Sequence, residues 1–130
     1  MTDGPGTAGS GPRAIAALTV AAEPLADGRL LRPVGELDHD SADPMREALA
    51  EALREPSATV VVDCSGLSFC DSTGLNLLLR TRLAAESAGS RMVLAEPSPM
   101  VARMLEITGA GGVFEVYGTV AEATAGGPAG

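Results

Sequence analysis

Along the chain the apolar residues change period several times, and each change marks a predicted element. Ile15 to Val20 and Arg29 to Val34 carry the β-branched and apolar character of two strands, joined by a hairpin-type turn around Ala26-Asp27-Gly28. Pro33 has no amide hydrogen to give a ladder, so an edge or bulge position is expected there. The period then lengthens. Met45, Ala48, Leu49, Ala52 and Leu53 recur at the spacing of an amphipathic helix, with Ser41 as the expected N-cap and Asp43 and Pro44 in the first turn. Val60-Val61-Val62, closing on Asp63, is a continuous β-branched run, the pattern of a strand buried on both faces.

A small-residue loop follows, and Leu75, Leu78, Leu79 and Leu83 form the stripe of a second helix that stops by Gly89. Arg91 to Ala95 reads as a short strand. Ser98 followed by Pro99 is an N-cap with proline at the first helical position, and Val101, Met104 and Leu105 give a third helix ending at Gly109. Val113 to Tyr117 is a last strand, and Thr119 to Ala123 a helical turn or two. The order β-β-α-β-α-β-α-β predicts an α/β fold with a small, mainly parallel (mixed) sheet covered by helices. Residues 1–12, rich in Gly, Pro, Ser and Thr, and residues 125–130, made of Gly, Ala and Pro, read as a disordered leader and tail, leaving one domain over residues 13–124.

Composition narrows the partners. Seventeen acids against nine bases give a formal charge of −8, Lys is absent and the arginines are scattered, so neither nucleic acid nor an acidic membrane surface is expected as a partner. Two Phe, one Tyr and no Trp offer no stacking platform for bases. A protein with some basic surface fits better. Arg13 before the apolar run 14–22 has the length of a signal h-region, but one base and an acidic leader do not make a signal peptide. No run approaches the ~18 residues of a membrane span. Cys64 and Cys70 are no secreted disulfide framework, and a reducing cytoplasm is the expected compartment.

Chemistry concentrates on Asp71-Ser72-Thr73-Gly74, which opens the second helix just beyond a buried strand. Backbone N–H groups converge at such a helix start and stabilise negative charge. From its own residue type Ser72 reads first as a plain N-cap. A nucleophile elbow would need glycine where Cys70 stands, and His39 is the one candidate base, so hydrolysis is not expected. Asp38-His39-Asp40-Ser41-Ala42-Asp43 alternates acids like a calcium loop, yet Asp43 and Leu49 occupy the positions where glycine and glutamate belong. It reads as a loop feeding a helix, and no metal is expected. Cys64 and Cys70 lack the further ligands zinc requires and read as packing residues, with a thiol switch near the helix start as the alternative. Gly109-Ala110-Gly111-Gly112 lacks the Lys-Ser/Thr of a phosphate loop and precedes a strand.

The run from Val60 to Leu75 resembles the phosphorylation site of the STAS-domain anti-sigma-factor antagonists. The matching residues are Asp63, the Cys64-Ser65-Gly66 loop and Asp71-Ser72-Thr73-Gly74-Leu75, and Gly35-Glu36-Leu37-Asp38 resembles the family's segment closing its second strand. The resemblance covers roughly residues 14 to 122. It implies a sheet with helices packed mainly on one side, no enzymatic activity and no cofactor. It further implies Ser72 as phosphoacceptor, with Thr73 as the other hydroxyl to weigh. Asp38 and Asp71 are implied in docking the partner, and Thr73 and Gly74 in shaping the helix start. The implied partners are an anti-sigma factor with Ser/Thr kinase activity, bound while Ser72 is unmodified, and a Ser/Thr phosphatase acting on phospho-Ser72. The alternative within the family is a non-switched subunit of a stressosome-like or lipid-transport complex. Cys70 departs from the pattern, which carries a larger apolar residue there.

Overall fold

Val60, Val61 and Val62 have no exposed surface, and the fold is arranged around the strand they form. The computed structural model describes residues 17–125 of the chain. The strands are β1 (Leu18–Leu25), β2 (Gly28–Leu37), β3 (Thr59–Asp63), β4 (Leu67–Cys70), β5 (Arg91–Ala95) and β6 (Val116–Tyr117). The helices are α1 (Asp43–Ala52), α2 (Ser72–Ser87), α3 (Pro99–Thr108) and α4 (Val120–Ala125), with a 3-10 turn over Ala110–Gly112. The sheet runs β1-β2-β3-β5-β6, with β4 also paired to β2. Among the described residues only the β1–β2 hairpin is antiparallel; the other four pairings are parallel.

Alternation along the strands divides the interior in two. Leu31, Val60, Val62, Met92 and Leu94 face Met45 and Leu49 of α1, Leu78 and Ala85 of α2, and Val101 and Leu105 of α3. Leu30, Val61, Val93 and Ala95 point the other way, where Ala123 and Val120 of α4 cover them. Each large side chain fully buried in this way contributes about 1.5–3 kcal/mol. The helices therefore sit mainly on one side, with α4 alone on the other.

Several local expectations need correction. The element order gains a strand: β4 lies within the stretch expected to be loop, and the terminal helical stub is α4. The last strand is two residues long, because the 3-10 turn and buried Phe114 consume the start of the predicted run. Leu83, expected on the buried stripe of α2, is 58% exposed; Gly74, Leu78 and Ala85 make the buried line instead. Ser41 does not cap α1, whose N-cap is Ala42 without a side-chain bond. The leader over 1–12, residues 126–130 of the tail and the Ile15-Ala16 start of the first predicted strand lie outside the described residues.

Pro33 sits on no edge, because β2 lies inside the sheet. Glu36 N–H donates to Ala17 O on the β1 side, so alternate residues aim their amides at β1 and Pro33 faces the opposite neighbour. On that side the β3 ladder ends at Leu31–Val62 and the β4 ladder begins at Gly35–Leu67. The proline falls in the gap between them. The turn leading into β4 passes there closely: a Cβ on Gly66 would lie 2.9 Å from both Pro33 O and Val34 Cγ2.

Candidate functional site

β2 and β4 run parallel and end side by side at the Leu37–Cys70 pair. Their continuations, the Asp38–Ala42 loop and the first turn of α2, thus emerge together at one end of the sheet. Asp71 joins them. It is the N-cap of α2 in extended conformation, and its Oδ1 accepts the Gly74 N–H at 3.0 Å. Its Oδ2 accepts the His39 N–H at 3.3 Å, from the other loop. One half-buried carboxylate thus satisfies a helix-terminal donor and ties down a segment distant in sequence.

Ser72 is consequently not the N-cap, as its residue type alone allows, but the first residue of the helix. It is exposed, and among the described residues its hydroxyl has no hydrogen-bond partner. Because Asp71 takes the capping role, the Ser72 hydroxyl remains free at the positive end of a 16-residue helix. Thr73 is half-buried and turns toward α1, so the two neighbouring hydroxyls differ in access. Gly74 is buried where the helix meets the sheet. A Cβ there would stand 2.6 Å from Leu37 O, 2.8 Å from Leu37 Cγ and 2.9 Å from Cys70 Sγ, so a side chain would push the first turn of α2 away from β2.

Asp38 organises the second loop. Its Oδ1 accepts the Asp40 N–H at 3.0 Å and lies 2.7 Å from Ser41 Oγ, which is also 2.6 Å from Glu36 O. Ser41 Oγ in turn accepts the Asp38 N–H at 3.1 Å. The hydrogen bond with Ser41, foremost, holds the Asp38 carboxyl below its usual value. Ser41 thus shapes the loop rather than capping the helix. Asp38, Asp71, Thr73 and Gly74 are brought to the end of the sheet that carries Ser72. The sequence reasoning missed that Asp71 also reaches His39; no local pattern signals that bond, because the two segments meet only through β-pairing.

Asp63, closing β3, is 5% exposed and faces the α4 side. Its charge is met by Arg32 Nη1 at 3.2 Å and by the Ser65 N–H at 2.9 Å, which fixes the turn into β4. Cys64 and Cys70 are buried free thiols. Burial, helped by the Asp63 charge, pushes the Cys64 thiol up to about 12, and burial with the Asp71 charge pushes Cys70 to about 11. Both effects favour the neutral thiol, against the helix-start activation that a thiol switch requires. Among the described residues no cluster of three His, Cys, Asp or Glu side chains is placed to hold a metal, and no helix is long and apolar enough to cross a membrane.

The STAS domain family model matches residues 20–123. The chain belongs to the STAS family. An anti-sigma F factor antagonist of Lysinibacillus sphaericus is 31% identical over 83 residues, 63% of this chain and 71% of that protein. One from Paenibacillus polymyxa is 30% identical over 89 residues, 68% and 76% of the respective chains. Among solved structures, the anti-sigma factor antagonist SpoIIAA in its unphosphorylated form aligns with a TM-score of 0.67 at 28% identity, covering 81% of this chain and 92% of the other. Bacillus SpoIIAA in its phosphorylated form aligns with a TM-score of 0.63 at 27% identity, covering 81% and 96%. The mixed sheet with three helices on one face and α4 on the other is thus this chain's version of the STAS fold.

Proposed function

We propose that this STAS domain is an anti-sigma-factor antagonist switched by phosphorylation of Ser72. Unmodified, it binds an anti-sigma factor that is also a Ser/Thr kinase, and so frees a sigma factor. The kinase transfers the γ-phosphoryl group of ATP to Ser72 Oγ, releasing ADP, and the complex separates. A Ser/Thr phosphatase restores the hydroxyl. The curated relatives named anti-sigma F factor antagonists support the role, and the reading implies a bacterial cytoplasmic setting.

The observation that carries the switch is the free, exposed Ser72 hydroxyl at the first position of α2, beside a carboxylate that does the capping. Phosphorylation adds about −1.5 to −2 charge there. In the free protein the helix N-terminus offsets roughly 0.3–1 kcal/mol of the added charge, so the fold survives. In an interface, where Asp71 and Asp38 are already committed, like-charge juxtaposition costs several kcal/mol. The second effect is larger, so binding is lost while structure is kept.

The test is intact mass after incubation with candidate anti-sigma kinases and ATP. Wild type gains one phosphate and Ser72→Ala gains none, while Ser72→Ala stays bound to the kinase and Ser72→Asp folds but binds poorly. A phosphate added to Ser72→Ala at the wild-type rate, or Ser72→Asp binding as tightly as wild type, removes the mechanism.

A further inference from the structure

On the α1 side of Ser72 lies a notch of about 250 Å³ lined by Arg46 of α1 and by Thr73, Asn76, Leu77 and Arg80 of α2. The four α2 residues follow the spacing of a single helical face, and Cβ tilt directs the long Arg80 side chain back toward the first turn. Two guanidinium groups thus border an opening whose upper wall is Thr73, the neighbour of Ser72. In a chain of net charge −8 this is a local reversal of sign.

The arginines are not equivalent elsewhere. Arg29, Arg32, Arg54, Arg82 and Arg91 each pair with a described carboxylate. Arg46 pairs with Asp43 in its own helix, which leaves further guanidinium donors for a second acceptor. Arg80, like Arg103 of α3, pairs with no described carboxylate and is exposed, but only Arg80 borders the notch. Asn76 adds an amide that donates as well as accepts.

We propose that this notch receives a carboxylate side chain of the anti-sigma partner, which makes the docking surface two-signed. The Asp38 and Asp71 carboxylates belong to the two loops joined beside Ser72, and Arg46 and Arg80 border the notch next to Thr73. A partner then has to present a cation to the first and an Asp or Glu to the second, and only one orientation satisfies both. Charge arrangement of this kind fixes register and excludes wrong partners more than it adds raw affinity. The notch thus aligns the Ser72 hydroxyl with the kinase's nucleotide site. The inference rests on the proposed anti-sigma reading and names the partner chemistry at its edge.

The test is calorimetric titration of the purified anti-sigma kinase into wild type, Arg80→Glu, Arg80→Lys and Arg103→Glu at two salt concentrations, with thermal melts of each variant. Arg103 is an exposed arginine of α3 outside the notch and serves as the charge control. Arg80→Glu is expected to bind at least about tenfold more weakly with an unchanged melt, Arg80→Lys to retain most of the affinity, and Arg103→Glu to match wild type. Wild-type affinity in Arg80→Glu, or equal weakening by Arg103→Glu, overturns the notch while leaving the anti-sigma role intact. No binding by wild type to any anti-sigma kinase overturns the role, and the notch with it.

Discussion

The Asp71 carboxylate accepts the backbone N–H of His39, 32 positions earlier in the chain, while capping its own helix through Gly74. The two loops at the Ser72 end of the sheet are therefore held by one side chain. Asp71→Ala removes both acceptors and is expected to lower stability by about 1–2 kcal/mol, as for loss of an N-cap, read from urea melts. Asp71→Asn keeps an oxygen for Gly74 and should lose less. Superimposable melts for Asp71→Ala and wild type would mean the cap contributes nothing.

Gly74→Ala places a methyl group against the Leu37 carbonyl, a backbone atom that cannot swing aside. The expected cost is about 1–3 kcal/mol, the range for overpacking. Gly112→Ala, with open space around its would-be Cβ, is the matched control and should stay within about 0.5 kcal/mol of wild type. Equal melts for the two variants would show that the first turn of α2 yields freely.

Asp38 has a carboxyl held below its ordinary value of 3.8, first by Ser41. A depressed folded-state pKa means the ionised group favours the fold at pH values above 3.8, and that contribution is lost as pH falls through the lowered value. A carboxyl-carbon NMR titration should place Asp38 below 3.8 in wild type and return it toward 3.8 in Ser41→Ala. An unmoved midpoint in Ser41→Ala would detach the hydroxyl from the loop.

The thiols provide a probe of opening. With Cys64 near 12 and Cys70 near 11, both are protonated and covered at pH 8. Labelling by a thiol-specific disulfide reagent should therefore wait for unfolding and reach both residues together in denaturant. Complete labelling within seconds in native buffer would contradict their burial.

The strongly periodic parts of the chain were legible. Val61 in a central buried strand, the α1 stripe through Met45 and Leu49, and the Ser98-Pro99 start of α3 all lie where pattern and capping chemistry place them. β4 was not, for a physical reason. The register shift between Gly35 and Glu36 buries Leu67 and Cys70 and leaves the two residues between them exposed, so the alternation that announces a strand is absent. At the site, residue types located the helix start but not which side chain caps it. Asp71 and Ser72 are both good caps, and the choice follows from the extended backbone of Asp71, set by its pairing with β2. The same limit hid Ser41, whose hydroxyl is drawn to Glu36 and Asp38 by the loop's fold rather than by the helix it precedes.

A strand that exchanges one neighbour for another must release the first before it engages the second, and Pro33 occupies the residue where β2 does so. Proline suits that gap because it brings no amide hydrogen that would need an acceptor between the two ladders. Gly66 across from it has no side chain to obstruct. The join between the structural half of the sheet and the half that carries Ser72 is thus sealed by two omissions, a missing hydrogen and a missing carbon.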